Sequence, residues 1–481
     1  MRITKNISYR KRDFSAITDD TSCIDSHTLF VLSKQNARYF AALNPKPPHI
    51  HAQNLREIFA LPQCIIGITG TNGKTTTATI IYESLRALGF SAALLGTRGL
   101  FVNGVETKPK GLTTPSVLEL YENFELAKEC AYFVMEVSSH AIVQERIAGV
   151  EFGLKILSNI TSDHLDFHKS LQEYIRVKNS FFACSTPKLI NADEINARYN
   201  PANAYTYGLQ SHANMRALCY ELGNGISAQV EWNERKNGDE DARREPKKGT
   251  QRQKQEGALE QGRGREGAQN QRLEDAREIT ESTHLQTKLF GKHNLYNALA
   301  ALSALKLLTH KSLDSLAQAI ARFEGVSGRM EILSHKPLII VDFAHTHDGM
   351  EQIFQSFPGR KIVALFGAGG DRDVSKRPKM GAMADKYAHR IYLTSDNPRS
   401  ENPDSIIAQI AQGVSDTSKL IIESSRQKAL ELAIKDLRDD EVLLVLGKGD
   451  ETYQIIGEQT LPFDDREIIR SLLAGAGFTR S

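Results

Sequence analysis

The hydrophobic pattern between Gln63 and about Val326 alternates between short apolar runs and longer amphipathic stretches. The runs are "CIIGIT", "YFVMEVS" and "LKILSNIT", and the amphipathic stretches include "TATIIYESLRALG" and "LQEYIRVKNSFFACS". The runs have the length of buried strands, while the stretches repeat their apolar residues at helical spacing. Because strands and helices in alternation are typical of βαβ units, this region is predicted to form a domain on a mainly parallel sheet.

The alternation begins again after Gly328, which predicts a second sheet. Its apolar runs are "PLIIVDFA", "KIVALFGA", "RIYLTSD", "LIIES" and "EVLLVLG", with helical patterns such as "SIIAQIAQGV" and "REIIRSLLAG". Residues up to about Leu61 are less regular and contain the proline cluster "NPKPPHI", which is typical of an extended connector. The sequence therefore predicts an α/β protein with a small N-terminal α/β domain (residues 1–62), a central domain (63–326) and a C-terminal Rossmann-like doubly wound domain (327–481).

A charged segment from Asn233 to Thr280 interrupts the central domain. Its only large apolar residues are Leu259, Leu273 and Ile279, whereas Lys, Arg, Glu, Asp, Gln and Gly dominate. Such a composition offers too little apolar surface to offset the entropy lost on ordering. One interpretation is a charged tether or partner-binding segment. We expect a disordered or loosely helical surface insertion, because mixed charge in a loop is usually solvated.

Composition limits the classes of function. The chain has 481 residues and a formal net charge of +2, from 60 Lys and Arg against 58 Asp and Glu, so nothing global points to nucleic acid as a partner. Five cysteines without CxxC spacing fit a reducing compartment better than a disulfide framework or a zinc site. No apolar run approaches the ~20 residues of a membrane-spanning helix, and the basic start lacks the apolar segment of a secretory signal. We therefore expect a cytoplasmic protein without membrane insertion.

A glycine-bounded loop between the first strand and helix of the central domain carries the clearest chemical signal. Residues Gly70 to Thr76 read "GTNGKTT". In such a loop, backbone amides and the helix N-terminus surround phosphate oxygens, Lys74 neutralises the β- and γ-phosphates of ATP, and the Thr75 hydroxyl binds Mg²⁺. Ile68 replaces the first glycine of the strict P-loop pattern, so the loop is a variant. The alternative is a glycine turn followed by a threonine-capped helix, but we expect a P-loop ATPase-like domain.

Further motifs accompany this loop. In chain order they are "TGTNGKTTT", "TTP", "EVSSHAIVQERI", "NITSDHLDFH", "YIRVK", "GKHNLYNALAA", "GRMEI", "VDFAHTHDGM", "GGDRDVSKRP", "SDNPRSENP" and "GKGDETYQ". From Gln63 onward, apart from the charged insertion, the chain resembles the Mur ligases, ATP-dependent amide-forming enzymes of peptidoglycan precursor synthesis. It is most similar to members that add meso-2,6-diaminopimelate to UDP-N-acetylmuramoyl-L-alanyl-D-glutamate. The resemblance implies these two substrates, ATP and an acyl-phosphate intermediate.

The resemblance also implies two Mg²⁺ ions. Thr75 and Glu136 correspond to ligands of one ion, and His164 and Lys178 to the residues that hold the other. In the family this lysine is carbamylated (N6-carboxylysine). A desolvated lysine suits that chemistry, because its neutral amine reacts with CO₂ and the product offers the oxygen ligands that Mg²⁺ prefers. The structural alternatives are an exposed acid at a strand end for Glu136 and an isolated surface lysine for Lys178.

Residues for each substrate follow from the same resemblance. Those for ATP are Gly70, Thr71, Asn72, Gly73, Lys74, Thr75, Thr76, Asn294, Asn297 and Arg329. Those for the UDP-N-acetylmuramoyl-dipeptide are Ser26, Thr113, Thr114, Ser138, Gln144 and Arg146. Those for diaminopimelate are Arg372, Asp396, Asn397, Pro398, Arg399, Gly447 and Glu451. The implied catalytic residues are Lys74, His164, Lys178, Asp342 and His345.

The assignment of Arg399 has physical support and a structural alternative, and the assignment of Thr113 and Thr114 has a structural alternative. Diaminopimelate differs from lysine by one distal carboxylate, which the guanidinium of Arg399 can bind through two parallel hydrogen bonds. The alternative for Arg399 is the solvated flank of a turn. Thr113 and Thr114 can also act as a threonine N-cap, with Pro115 as the first helical residue before "SVLELYENF".

Three positions depart from the family pattern. His27 follows the serine that matches the uridine contact and stands where arginine is usual, His347 stands in place of proline, and Asp450 stands in place of histidine. The alternative functions are an L-lysine-adding Mur ligase, a folylpolyglutamate synthase and a nucleotide-binding regulator without turnover. His164, Lys178 and Arg399 together argue against the regulator, and we expect a monomeric enzyme.

Overall fold

The structure is a computed structural model that describes residues 1–161, 163, 165–209, 213–222, 225–234 and 279–475. Three main sheets follow one another along the chain, with helices packed against the second and third. The predicted α/β architecture, with a small N-terminal sheet, a central mainly parallel sheet and a C-terminal doubly wound sheet, is confirmed. Within these ranges, no helix combines the length and the apolar character needed to cross a membrane.

The N-terminal sheet shares its core with the central domain. Its elements are β1 (Arg2–Tyr9), β2 (Arg12–Thr18), β3 (Thr28–Leu32), α1 (Ala37–Ala41) and β4 (His49–His51). β1 and β2 are antiparallel, whereas β2, β3 and β4 are parallel. Ile17 and Leu29 of this sheet are fully buried in one cluster with Tyr121 and Phe133 of the central domain. The first domain is therefore packed firmly on the second.

The central sheet has 11 strands. They are β5 (Cys64–Thr69), β6 (Ala92–Gly96), β7 (Gly99–Val102), β8 (Val105–Lys108), β9 (Tyr132–Glu136), β10 (Leu154–Leu157), β11 (Lys188–Asn191), β12 (Ala204–Gly208), β13 (Met215–Glu221), β14 (Ile226–Glu234) and β15 (Ile279–Thr287). The order across the sheet is β15-β14-β13-β12-β11-β10-β5-β9-β6-β7-β8. From β13 to β6 neighbours are parallel, and antiparallel pairs extend both ends. β5 lies near the middle, so its loop opens at the centre of the carboxyl edge.

Two buried helices set the position of that loop. The helices of this domain are α2 (Lys74–Ala87), α3 (Val117–Leu126), α4 (Ser139–Val143), α5 (Leu165–His168), α6 (Leu171–Ser180), α7 (Lys292–Thr309) and α8 (Leu313–Ala321). α7 is buried on nearly all sides between Leu295 and Leu305, as expected of a helix enclosed by other elements. It packs with α2 in one core, so the start of α7 lies beside the start of α2.

The ends of the predicted charged insertion are strand residues, not loop residues. Asn233 pairs with Thr280 and Glu234 with Ile279 in the antiparallel pair of β14 and β15. The predicted boundaries are therefore wrong by two residues at each end, because the alternating pattern of β14 continues to Glu234. Residues 235–278, on which the rest of that prediction falls, lie outside the described residues.

The C-terminal sheet gathers the carboxyl ends of its central strands at one edge. Its elements are β16 (Glu331–His335), β17 (Leu338–Asp342), α9 (His347–Phe354), β18 (Lys361–Phe366), α10 (Lys376–Tyr387), β19 (Arg390–Leu393), α11 (Pro403–Ala411), β20 (Leu420–Ile422), α12 (Arg426–Lys435), β21 (Glu441–Leu446), a hairpin of β22 (Tyr453–Ile456) and β23 (Gln459–Pro462), and α13 (Asp465–Gly475). The order is β16-β17-β21-β18-β19-β20, and only β16 is antiparallel to its neighbour. Loops after β17, β18, β19 and β21 therefore meet, which is where ligands bind in such sheets.

Candidate active site

The loop between β5 and α2 has the geometry of an anion site. Gly73 has a φ of +84°, and a Cβ atom there would lie 2.3 Å from Oδ1 of Asn297, so the position requires glycine. The first helical bond runs from the amide of Thr77 to the carbonyl of Gly73, at 2.9 Å. The amides from Lys74 to Thr76 thus begin the helix without an intrahelical acceptor, the arrangement that binds phosphate.

Lys74 is held over this loop by two backbone carbonyls. Its Nζ donates to the oxygens of Gly70 at 2.9 Å and Thr71 at 3.0 Å. Burial lowers the pKa of Lys74, and the carboxylates of Glu136 and Asp163 oppose that effect. The ammonium group therefore lies at the phosphate loop with negative charge on its other side.

Thr75 and Glu136 place two kinds of oxygen where the resemblance implies a Mg²⁺ ligand pair. Oγ1 of Thr75 donates to Glu136 and lies 3.0 Å from both of its carboxylate oxygens. Glu136, at the end of β9, is only 2% exposed, so its interpretation as an exposed acid is wrong. The described part of the chain gives this carboxylate neutral hydrogen-bond donors, including the amide of Thr97 at 3.0 Å. A buried carboxylate with neutral donors fits a cation that takes oxygen ligands.

The described residues alone do not complete a metal site. Among the described residues, no group of three or more His, Cys, Asp or Glu side chains could enclose an ion. This agrees with Mg²⁺ in nucleotide enzymes, where waters and phosphate oxygens supply most of the ligands.

Lys178 is buried against the same loop and donates to the same carbonyl as Lys74. It is 1% exposed on α6, and its Nζ donates to the carbonyl of Gly70 at 2.9 Å and lies 3.4 Å from Oγ1 of Thr69. Burial lowers its pKa well below the usual value, and the charge of Lys74 lowers it further. The interpretation of Lys178 as a surface lysine is therefore wrong. His164, its predicted partner at the second ion, lies outside the described residues.

A cleft of about 430 Å³ lies between the central and C-terminal domains. Every residue predicted for ATP lines it except Gly70, and Thr113, Glu136, Asp342, His345 and Arg372 line it as well. The two asparagines of α7 are joined to the phosphate helix, because Thr77 donates to Oδ1 of Asn297 at 3.2 Å and Nδ2 of Asn297 donates to Asn294 at 2.9 Å. The predicted nucleotide residues thus form one contiguous surface.

The C-terminal side of the cleft contributes a guanidinium, a carboxylate and an imidazole. The Arg329 guanidinium lies 4.2 Å from the ring centre of Phe343. Asp342, at the end of β17, is 6% exposed and accepts hydrogen bonds from two backbone amides at 2.7 and 2.6 Å. Burial raises the pKa of Asp342, and the charge of Arg329 opposes that effect. Nδ1 of His345 lies 3.0 Å from the carbonyl of Phe343. A carbonyl only accepts, so this nitrogen carries the hydrogen and Nε2 is the basic one.

The residues predicted for the nucleotide-sugar dipeptide form a polar cluster beside the cleft, with one exception. Thr114 donates to the carbonyl of Glu136 at 2.9 Å and accepts the amide of Ser138 at 3.0 Å. Arg146 donates to the carbonyl of Thr114 at 2.7 Å and to Gln144 at 2.9 Å. These contacts are all to neutral groups, so the guanidinium retains its charge for an anionic substrate group.

The exception is Ser26, which lies on an exposed turn before β3 and does not join this cluster. The structural alternative for the threonines is wrong. Ser116, not a threonine, is the N-cap of α3, and the helix begins at Val117, so Pro115 precedes the cap. The threonine pair is therefore free for a role other than capping.

A second pocket of about 220 Å³ adjoins the cleft. It is lined by Arg372, Asp396, Asn397, Arg399, Gly447 and Glu451, which are the residues predicted for diaminopimelate apart from Pro398. Nη1 of Arg399 donates to the carbonyl of Gly370 at 2.8 Å, and within the described residues its hydrogen bonds go to carbonyls, not carboxylates. Phe343 and His345 line both the pocket and the cleft, so ligands in the two would meet there.

Sequence reasoning missed several residues of this surface. Asp163 lines both spaces and forms an ion pair of 3.0 Å with Lys376 of the C-terminal domain. Burial lowers the pKa of His293, in the cleft, to about 4, and its Nδ1 has no partner within the described part of the chain. All three residues stand inside motifs that the sequence singled out, so the signal was present. Thr97, which holds Glu136, belongs to no such motif.

Comparison with known families identifies the class of protein. A model of the Mur ligase middle domain matches residues 68–305, and a model of the Mur ligase glutamate ligase domain matches residues 328–449. The two matches coincide with the domains that build the cleft and the second pocket. The chain belongs to the Mur ligase family, and it is an ATP-dependent amide-forming ligase.

Similar curated proteins within the family share one name. The chain is 48% identical to a protein of Helicobacter hepaticus, over 98% of this chain and 99% of that protein. It is 48% identical to one of Wolinella succinogenes, over 95% and 96% of the two chains, and 45% identical to one of Helicobacter pylori, over 98% of each. All three are named UDP-N-acetylmuramoyl-L-alanyl-D-glutamate--2,6-diaminopimelate ligase.

Solved structures share the fold. A structure of a UDP-N-acetylmuramoyl-L-alanyl-D-glutamate--2,6-diaminopimelate ligase has a TM-score of 0.62 at 24% identity, over 99% of this chain and 98% of that chain. A folylpolyglutamate synthase of Mycobacterium tuberculosis has a TM-score of 0.56 at 14% identity, over 89% and 92% of the two chains.

Proposed function

We propose that this protein joins meso-2,6-diaminopimelate to UDP-N-acetylmuramoyl-L-alanyl-D-glutamate, with cleavage of ATP to ADP and phosphate, in peptidoglycan precursor synthesis. The observation that carries this proposal is the second pocket, where Arg399 offers a guanidinium without a carboxylate partner among the described residues, next to a phosphate cleft. The names and the high identity of the curated relatives support it.

The first half of the reaction activates the carboxylate. The terminal carboxylate of the dipeptide attacks the γ-phosphorus of ATP, ADP leaves, and an acyl phosphate forms. Both reactants are anions, so the reaction needs positive charge: the helix amides after Gly73 and the Lys74 ammonium hold the phosphates, and Arg146 holds an anionic group of the dipeptide. Mg²⁺ held by Thr75 and Glu136 would supply further neutralisation.

A second Mg²⁺ and a carbamylated Lys178 are also part of the proposal. The support is the burial of Lys178 next to the phosphate loop and the depression of its pKa, which both favour the neutral amine. An unmodified ammonium there would lie close to the ammonium of Lys74 in a low-dielectric site. Conversion to a carbamate replaces that repulsion with attraction to the cations of the site.

The second half of the reaction forms the amide. The neutral amine of the amino acid attacks the acyl carbon, and phosphate leaves from the tetrahedral intermediate. The amine has to lose a proton, and Nε2 of His345, at the junction of the two spaces, is the group we assign to accept it. Asp342 and Arg329 border the same junction. Closure of the cleft by the C-terminal domain excludes the water that would hydrolyse the acyl phosphate.

Selectivity for diaminopimelate over L-lysine, the alternative substrate, follows from charge. Diaminopimelate carries a distal carboxylate and a distal ammonium. Arg399 and Arg372 offer positive charge to the distal carboxylate. Glu451 and Asp396 offer carboxylates to the distal ammonium. With lysine bound, Arg399 would lack its anionic partner. We also propose that the enzyme acts as a cytoplasmic monomer, since residues of one chain line both the cleft and the pocket and its five cysteines are free.

The decisive experiment measures ADP release and product mass with the UDP-N-acetylmuramoyl-dipeptide and each of meso-diaminopimelate, L-lysine and no amino acid. We expect rapid ADP release and a tripeptide product with diaminopimelate, far slower turnover with L-lysine and no amide product without an amino acid. Equal turnover with lysine would assign the enzyme to the lysine-adding class. ADP release without any amide product would contradict ligation.

A further inference from the structure

Arg377 is among the largest fully buried side chains of the described residues, and the reaction proposed above does not use it. It is 1% exposed in the first turn of α10. Its guanidinium donates to both carboxylate oxygens of Glu401 at 2.7 and 2.8 Å, to Gln409 at 2.7 Å and to the carbonyl of Gly369 at 3.1 Å. A cation at a helix N-terminus opposes the helix dipole, so these partners are what stabilise it there.

The bonds of Arg377 join two loops of the second pocket. One loop, between β18 and α10, contains Gly369 and carries Arg372 into the pocket. The other, between β19 and α11, contains Glu401 and carries Arg399 into the pocket. Arg377 itself lines the pocket, and its buried guanidinium holds the two loops that carry the pocket's other two arginines, Arg372 and Arg399.

Backbone contacts show how closely the two loops are joined. Glu401 also accepts the amide of Asp371 at 2.6 Å, and the amide of Gly370 donates to the carbonyl of Asn397 at 2.9 Å. A Cβ atom on Gly370 would lie 1.9 Å from the carbonyl oxygen of Pro398, so the loops touch at a position that only glycine allows. Arg399 is the residue next to this contact, so the contact helps to fix the position of Arg399.

The backbone of Arg399 needs such support. Its φ is +52°, a left-handed conformation that costs free energy in a residue with a side chain. Its guanidinium donates to the carbonyl of Gly370, on the loop that Arg377 anchors. The side-chain contact thus depends on the junction of the two loops, whereas the backbone of Arg399 is also held by the hairpin of β22 and β23, through Ile455 at 3.1 Å and Gly457 at 2.8 Å.

We propose that Arg377 and Glu401 are a positioning pair that holds Arg399 in the geometry that selects diaminopimelate over lysine. This inference rests on the proposed function. Glu401 lies two residues from Arg399, so loss of its bidentate bond lets the loop relax and moves the Arg399 guanidinium. That movement weakens the binding of diaminopimelate through its distal carboxylate. The binding of lysine is unaffected, because lysine has no group at that position.

The test is the pair of variants Arg377→Lys and Glu401→Gln. In Arg377→Lys the lysine keeps the positive charge but lacks the planar guanidinium that forms two parallel hydrogen bonds. In Glu401→Gln the glutamine keeps the shape of the glutamate but lacks its negative charge. With the other substrates saturating, we expect the KM for diaminopimelate to rise about tenfold, with kcat and the KM for ATP within about twofold of wild type. The ratio of kcat/KM for diaminopimelate to that for lysine should fall by a similar factor.

Arg390→Lys is the matched control. Arg390 also pairs with a buried carboxylate, Glu441, at 3.0 Å, but it lies at the opposite end of β19 from the pocket. We expect this variant to keep wild-type selectivity. The melting temperature of each variant reports whether it is folded. If Arg377→Lys does not fold, Glu401→Gln decides, because Glu401 is partly exposed.

Two outcomes would overturn the inference. One is wild-type KM and selectivity in both pocket variants. The other is an equal loss with diaminopimelate, lysine and ATP, which would show a purely structural role. Arg399→Ala separates this inference from the proposed function: if that variant loses selectivity while the positioning variants keep it, only the inference fails. If Arg399→Ala itself retains selectivity, the proposed function fails first.

Discussion

Arg399 is the residue on which the proposed choice of diaminopimelate over lysine depends most directly. It follows the end of β19, has a left-handed backbone and faces the pocket with a guanidinium that, among the described residues, donates only to carbonyls. Arg399→Ala should raise the KM for diaminopimelate by at least about tenfold, since an unpaired buried charge costs on the order of 2 to 5 kcal/mol. The KM for ATP should change little. Steady-state kinetics with each substrate varied in turn checks this.

Arg399→Lys tests geometry separately from charge. A lysine at this position keeps the positive charge but loses the two parallel hydrogen bonds, so we expect a loss between those of wild type and alanine. Lysine turnover by the wild-type enzyme comparable to diaminopimelate turnover would refute the argument for both variants.

Lys178 tests the second metal site. Lys178→Ala removes the amine that a carbamate would form on, so we expect activity to fall by about two orders of magnitude or more. Short-chain carboxylates such as formate or acetate should restore part of it, because they place oxygen ligands in the space left by the side chain. The measurement is the rate of ADP release as a function of carboxylate concentration. Lys155→Ala, a substitution in β10, is the control for general salt effects. Full activity without added carboxylate would remove the carbamate from the mechanism.

Residues within one motif could be predicted from the sequence, whereas contacts between motifs could not. The phosphate loop and "DNPR" carry their chemistry in consecutive residues, and the structure gathers them at the expected strand ends. The ion pair of Asp163 with Lys376 joins residues 213 positions apart, and no periodicity encodes such a distance. Arg377 and Glu401 were likewise quoted inside motifs, but their bond depends on how α10 and α11 pack.

At the scale of elements, strands buried on both faces were the easiest to predict. β5, β9 and β10 are continuous apolar runs, and the structure places all three near the centre of the sheet. β6 to β8 and β11 to β15 were not predicted. β6 and β11 are buried but have only 5 and 4 residues. β7, β8 and β13 to β15 lie toward the ends of the sheet, where one face is polar or exposed and the signal is weaker. The same alternation with polar residues is the reason that the ends of the charged insertion were predicted to be loop.

The hairpin of β14 and β15 gives a sharper design for removing that insertion. Glu234 and Ile279 are paired in register, so residues 235–278 can be replaced by a two-residue Asn-Gly turn. We expect the shortened protein to fold and to keep kcat/KM within about twofold, because loop length changes closure entropy by only about 0.6 kcal/mol per doubling. Thermal unfolding and ADP release measure this.

A longer deletion provides the control. Removing Asn233 to Thr280 also deletes two strand pairs, so this variant should unfold at a lower temperature than the first. Loss of folding or ligation in the shorter deletion would show that residues 235–278 have an essential contact or function.

At the scale of the molecule, catalysis depends on how the C-terminal domain meets the central one. Among the described residues, two ion pairs join the two domains: Lys376 with Asp163 at 3.0 Å and Lys110 with Asp450 at 3.4 Å. Lys110 lies three residues before Thr113, and Asp450 precedes Glu451 of the pocket. The second pair uses Asp450, the aspartate that departs from the family's usual histidine.

Reversal of that second pair tests whether it aligns the domains. Lys110→Glu and Asp450→Lys should each lower kcat/KM for diaminopimelate by about threefold to tenfold, because each places like charges across the cleft, whereas the double variant restores the attraction and should recover most of the loss. High salt should reduce the single-variant effects, since the pair is partly exposed. The same reversal at Lys361 and Asp440, an exposed pair within the C-terminal domain, should change kcat/KM little. Additive losses in the double variant would show that the two side chains act separately, and that the closed arrangement of the domains depends on the Lys376 contact and on the bound substrates instead.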